Sequence, residues 1–283
     1  MATNEQPPFM ETNLGVVSVI GLNNICVGLI VAGIVGKVSF VLLVPIITSV
    51  GCTLGSGLCY YAWGSDYPVV NRAVAAVFSG VAWMIQEAGL PFYGYGILVP
   101  ILCGIERIIF LTIFWGLMVV ILFCRLAVVT LDTRYILRND PSPVTLALHS
   151  TLTNRLHFAY FPPIAMAEIL SAVFLLMKFR RTLRASKSGG LGGGKLYRYL
   201  MRSTEIRVAS LAIIGITRSI TFSFRLTVGP YRAVTQIDFF MYILESLYPI
   251  IMFRHYPNSI DILASRLIFT DENSMRNNNI LST

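Results

Sequence analysis

Apolar residues run along this chain in long blocks, not in alternation, and most polar connections between the blocks are short. A block of about 20 mainly apolar residues rises about 30 Å as a helix, which is enough to cross the hydrocarbon of a bilayer. Such blocks predict helix 1 over 14–36, helix 2 over 38–63 with only Lys37 between them, and helix 3 over 68–90. Later blocks predict helix 4 over 105–129, helix 5 over 158–178, helix 6 over 206–224 and helix 7 over 236–253. The expected fold is all-α: a polytopic transmembrane bundle of seven helices over 14–254, with an N-terminal tail over 1–13 and a polar C-terminal tail over 255–283.

Three connections qualify this picture. Residues 91–103 are apolar but broken by Pro91, Gly94 and Gly96, so they read as an interfacial turn, a re-entrant piece or a short extra helix, and a crossing there would make the count eight. Asn139-Asp140-Pro141-Ser142-Pro143 is a strong turn signal inside a polar loop read over 132–155. Pro162-Pro163 is read in the first turn of helix 5, where a missing N–H is harmless. A Gly-rich basic stretch runs from Arg180 to Lys195, but Leu196 follows Lys195 where a phosphate loop needs Ser or Thr. It reads as a flexible basic loop.

Composition agrees with the pattern. The 283 residues are 55% hydrophobic and only 13% charged, with a mean hydropathy of +0.70, whereas soluble domains carry about a quarter charged residues. The net charge of +8 does not point to nucleic acid, because nine basic residues concentrate between Lys178 and Arg207, in one connection. Such a cluster suits a cytoplasmic loop beside an anionic leaflet. With the N-terminus outside, inner segments hold 14 Lys and Arg against 7 in outer ones, which favours N-out and C-in. Residues 1–13 have no Lys or Arg, so no cleaved signal is expected.

Cys26, Cys52, Cys59, Cys103 and Cys124 form no C-x-x-C pair and read as small apolar residues. His149, His157 and His255 are read at helix ends, not clustered, so no metal site is expected. No zinc-protease motif or nucleophile elbow stands in the chain. Helix 7 has no Lys for a retinal Schiff base. No cofactor is expected.

Chemistry must therefore come from polar residues inside the helices. An ionisable group in a bilayer costs at least about 2.5–3.5 kcal/mol and usually faces the bundle interior with a partner. The candidates are Glu87, Glu168, Arg218, Asp238 and Glu245. Arg218 and Glu245 stand at matching depths in helices 6 and 7, so they can pair, and such a pair can equally serve only to fix helix register. Asp238, Tyr242 and Glu245 follow at i, i+4 and i+7 and share one face of helix 7. Glu87 and Glu168 show no partner in their own helices, so each is read either as a quiet hydrogen-bonding acid or as a proton donor. Trp83 lies four residues before Glu87, and an aromatic face beside an acid can shield a carbocation.

Two resemblances follow from these residues. Arg218-Ser219, Tyr242-x-x-Glu245 and Tyr256-Pro257 resemble the last two helices of the fungal lipid-translocating, stress-resistance exporter family, where Asp is usual in place of Glu245. The acids in apolar helices, Glu87, Glu168, Asp238 and Glu245, resemble the membrane-bound terpene cyclases of fungal meroterpenoid pathways. The second resemblance implies a cyclase in the endoplasmic reticulum or another endomembrane, acting on a prenylated small molecule taken from the lipid bilayer. Those four acids would be catalytic, and Trp83, Tyr242 and Arg218 would line the substrate. The exporter resemblance implies a non-enzymatic lipid or drug exporter, and a receptor remains a further alternative.

Overall fold

A computed structural model of the protein describes residues 8–36, 39–64, 67–139, 142–188, 210–221 and 232–253. All elements among them are helical. A single 3₁₀ turn at Phe9–Glu11 leads into α1 (Asn13–Val35), α2 (Phe40–Trp63), α3 (Val69–Gly89), the short α4 (Pro91–Leu98), α5 (Ile105–Arg138) and α6 (Pro143–Ser188). Then follow α7, described over Ser210–Thr221, and α8 (Arg232–Phe253). Five of these, α1, α2, α3, α5 and α6, are long and apolar enough to cross a membrane. The chain is thus a multi-pass helical membrane protein.

Local chemistry sets the helix ends. The Thr12 hydroxyl accepts the Gly15 N–H at 3.2 Å to open α1, and the Ser39 hydroxyl accepts the Leu42 N–H at 3.3 Å to open α2. Gly36 closes α1 at φ +65°, a left-handed turn that glycine adopts without a Cβ penalty. Asn139 closes α5 in the same region at φ +47°.

The helices alternate in direction. Phe9 meets Tyr60 at the outer end of α2, taking the end that carries the N-terminus as outer. Trp63, Tyr135 and His149 meet at that same end, and Lys178 reaches Glu106 at 2.9 Å across the opposite end of α5 and α6. Leu211, Tyr248 and Met252 join Leu90 and Tyr93 in an inner core, while Tyr242 joins Val17 and Cys52 farther out. Buried aromatic and aliphatic side chains of α4, α5 and α6 form the largest core, including Leu98, Phe110, Phe114, Tyr160 and Leu175. Many large apolar side chains face outward, such as Ile108, Phe123 and Phe78, as expected where the solvent is lipid.

The structure decides one open reading and corrects several others. Residues 91–98 form the short extra helix, about 12 Å long against about 30 Å of hydrocarbon, and it packs on α2, α3 and α6 without crossing. The loop read over 132–155 is almost entirely helix. α5 continues to Arg138, and α6 begins at Pro143 and runs 46 residues, so both outlast a bilayer core. The polar residues that suggested a loop instead bind the two helices together. The His149 Nε2 lies 2.9 Å from the Asp132 Oδ1, and the Tyr135 ring stacks on His149 at 4.3 Å. His149 and His157 are therefore mid-helix, while His255 lies outside the described residues. Pro162 and Pro163 also sit mid-helix and remove two N–H groups from the ladder of α6, which a bundle interior tolerates by other contacts. Cys52 is buried, whereas Cys26 and Cys103 are exposed on the outside of the bundle. The basic stretch read as a flexible loop from Arg180 belongs to α6 as far as Ser188, while residues 189–209 and the tail over 255–283 lie outside the described residues.

The α2–α3 contact depends on small residues. A Cβ on Gly51 would stand 2.6 Å from the Ala82 carbonyl oxygen, so the two backbones touch there, while a Cβ on Gly33 would meet nothing within 4 Å. Gly51→Leu should force α2 off α3 at a cost of about 1–3 kcal/mol, seen as a lower unfolding temperature in detergent. Gly33→Leu in α1 should leave that temperature unchanged.

Candidate functional site

Ionisable side chains from five helices converge in the middle of the bundle. α3 brings Glu87, α5 brings Arg125, α6 brings Glu168, α7 brings Arg218 and α8 brings Glu245, each less than 9% exposed. Arg218 stands at the centre. One terminal nitrogen donates to Oε2 of Glu245, and the other donates to Oε1 of Glu87 at 2.6 Å. The second Glu87 oxygen lies 4.0 Å from a terminal nitrogen of Arg125. Charges thus alternate along Arg125, Glu87, Arg218 and Glu245, and two cations answer two carboxylates.

Aromatic rings cover this chain of charge. The Arg218 guanidinium carbon lies 4.7 Å from the centre of the Phe161 ring and 4.9 Å from that of Tyr242. Arg125 lies 5.5 Å from the Tyr160 ring. Desolvated cation–π contacts of this kind reach about 2 kcal/mol and offset part of the burial cost. Trp83 stacks on Tyr242 at 5.5 Å, which extends the aromatic wall. A Cβ on Gly55 would strike the Trp83 indole, so α2 leaves the space that the ring fills.

A neutral hydrogen-bonded network flanks the charges. The Tyr242 hydroxyl donates to the Gln86 side-chain oxygen at 3.3 Å, and the Gln86 amide reaches the Ser246 hydroxyl at 3.4 Å. Asn24 of α1 donates to the Ser246 carbonyl at 2.6 Å. In a medium without water such bonds lock α1, α3 and α8 in register.

Glu168 differs from the other acids. Its Oε2 has no hydrogen-bond partner among the described residues. The carboxyl presses against the backbone of α7 at Gly215, where a Cβ would collide with it. It lies within electrostatic reach of Arg218 and Glu245, yet neither bonds to it among the described contacts. Asp238 stands apart, about 10 Å farther along α8 than Glu245. It is half-buried and accepts the Thr221 hydroxyl at 3.2 Å.

The structure therefore brings together Glu87, Glu168, Arg218 and Glu245, with Tyr242 against Arg218, and leaves Asp238 at the edge. The Arg218–Glu245 pair stands as depth matching suggested. Glu87, without a partner in its own helix, has two basic neighbours from other helices, Arg218 and Arg125. Sequence reading passed over Arg125, which it counted with the outer connection. Its signal was the same as that of Arg218, a single charge inside an apolar run.

Removing a partner from a buried ion pair costs about 3–5 kcal/mol, because a charge is left behind. Arg218→Met strands two carboxylates and should destabilise the protein at the upper end of that range, measured by thermal unfolding in detergent. Glu245→Gln keeps an acceptor for Arg218 and should cost clearly less. Comparison with known proteins returns nothing similar, whether among family models, curated proteins or solved structures.

Proposed function

We propose that the chain is a seven-span membrane enzyme, a terpene cyclase that folds up a prenylated small molecule drawn from the bilayer. The observation that carries the reading is Glu168, a buried carboxyl with one oxygen that has no hydrogen-bond partner among the described residues, beside a charge-balanced, aromatic-walled cluster. Glu87 and Glu245 are held by Arg218, which keeps them as carboxylates: poor proton donors and weak bases that can still accept a proton from a strongly acidic carbocation. Glu168, as a neutral acid, delivers its proton to an olefin or epoxide of the prenyl chain. The resulting cation propagates through ring closures while Tyr242, Phe161 and Trp83 shield it. Glu245 takes a proton from the final cation. One proton enters the substrate and one leaves it, so the reaction is an isomerisation that needs no redox cofactor, and the proton taken by Glu245 returns to Glu168 before the next turnover. A substrate of this class partitions into lipid, which gives a reason to keep the acid within the membrane. The location expected for such an enzyme is the endoplasmic reticulum or another endomembrane.

The alternative is a lipid or drug exporter. It is favoured by one observation: Arg218 and Glu245, the residues that carry the exporter resemblance, form a direct ion pair. In that reading the alternating charges form a lock between helices that opens during transport.

Microsomes containing the protein, given prenylated phenols, should form cyclised product. Glu168→Gln should abolish that product while protein levels hold, and Asp238→Asn should have the smallest effect of the four acids. Undiminished cyclisation in the carboxamide variants of Glu87, Glu168, Asp238 and Glu245 would sink the cyclase reading. Deletion that alters drug or lipid resistance, with no product formed by wild type, would favour the exporter.

A further inference from the structure

A groove of about 260 Å³ runs between α5 and α6 near the end of the bundle that carries the N-terminus, away from the charged cluster. α5 lines it with Leu131, Arg134, Tyr135 and Arg138, spaced i, i+3, i+4 and i+7, so one stripe of the helix faces it. α6 runs the other way and lines it with Leu148 and Leu152, and with Thr145 nearer its start. The two helices keep one antiparallel register throughout: Lys178 meets Glu106, Phe174 meets Phe110, Tyr160 meets Arg125, and His149 meets Tyr135. Leu131 therefore lies level with Leu152, and Arg138 with Thr145. The groove is apolar toward the middle of the bundle and basic at its outer end, the order in which a lipid presents chain and head.

Depth places the basic end among lipid head groups. α5 rises about 42 Å from Glu106 to Arg134 and about 48 Å to Arg138. A bilayer with its head groups is about 40–45 Å thick. The Glu106–Lys178 pair marks one face, so both arginines stand at the other. Trp63 and Tyr67, 44% and 40% exposed, form an aromatic belt at this end, and Trp63 lies 6.1 Å from Tyr135 on the groove wall. Arg134 and Arg138 are exposed, and neither has an ion-pair or hydrogen-bond partner among the described residues. The nearby carboxylate of Asp132 is taken by His149 at 2.9 Å. Leu148 and Leu152 are 57% and 39% exposed, so the groove opens on the outside of the bundle, where lipid lies. Basic pockets between membrane helices hold anionic head groups, and the planar guanidinium fork matches a phosphate.

We propose that this groove binds an anionic glycerophospholipid of the leaflet on the N-terminal side. Its phosphate oxygens accept from Arg134 and Arg138, and one acyl chain lies along Leu148, Leu152 and Leu131. The lipid bridges α5 and α6 where the two helices leave the hydrocarbon. None of the acids of the central cluster lines the groove, and the site is independent of the cyclase reading.

The test uses the full chain in dodecyl maltoside with radiolabelled dioleoylphosphatidic acid as probe. Wild type should bind it saturably. Dioleoylphosphatidylcholine, whose phosphate is neutralised by its own choline, should compete at least about tenfold less well, the scale set by losing a hydrogen bond between charged groups. The double variant Arg134→Gln, Arg138→Gln should weaken binding by at least that factor. Arg155→Gln, which removes an exposed cation of α6 outside the groove, should leave binding unchanged. Leu152→Trp, which fills the chain end of the groove, should weaken binding with both arginines in place. Glycerol 3-phosphate, the same head without chains, should not compete. No saturable binding by wild type, equal competition by phosphatidylcholine, or full binding by the double variant overturns the proposal. Competition by glycerol 3-phosphate equal to that of the lipid assigns the arginines to a soluble phosphate and overturns the lipid. A loss in Arg155→Gln equal to that in the double variant shows general charge attraction and overturns the site, and full binding by Leu152→Trp overturns the placement of the chain.

Discussion

The arrangement of the bundle turns on one cation, Arg218, and the two carboxylates that it holds. Hydrocarbon supplies no counter-charge and no water, so a guanidinium at that depth is tolerable only where protein groups surround it. Glu87 and Glu245 come from helices on either side of α7, and both must be in place together. Packing of small residues brings the helices close, as at Gly51 and Gly215, and the charges then select one register among those that packing would allow. The aromatic faces of Phe161 and Tyr242 complete the enclosure from α6 and α8.

Much of the helical plan was legible in the sequence because lipid imposes a simple rule. A buried helix in a membrane must be apolar for about 20 residues, and α1, α2 and α3 obey this so strictly that their ends fall within two residues of the expected ones. The same rule explains the misreading of residues 130–157. Asp132, Arg134, His149 and Arg155 end the apolar signal, but a helix leaving the membrane can continue if its polar side chains find each other. His149, Asp132 and Tyr135 do so. The signal marks where hydrocarbon stops, and the helix need not stop there.

The candidate site was half legible for a related reason. Depth along a helix can be counted, so Arg218 and Glu245 could be matched without a structure. Azimuth within the bundle cannot be counted, and it decides which of several acids a cation meets. Glu87 finds Arg218 from 131 residues away in the chain. Arg125 was passed over because it stands near the end of its apolar run, where charge is common, and only packing against Tyr160 and Gly80 marks it as interior. Glu168 had the opposite fate: it was noticed as an acid, but its isolation depends on Gly215, whose missing side chain admits it.

The long separation between Glu87 and Arg218 bears on how the chain is made. A ribosome delivers α3 to the membrane well before α7 exists, and α5, with Arg125, emerges between them. During that interval Glu87 must wait as a neutral acid, stay near the edge of the bilayer, or lean on Arg125 as a provisional partner. The α7–α8 pair then brings the cation that Glu87 holds in the finished bundle. Assembly of the interior is in this sense a late event, complete only once α7 and α8 have joined the bundle.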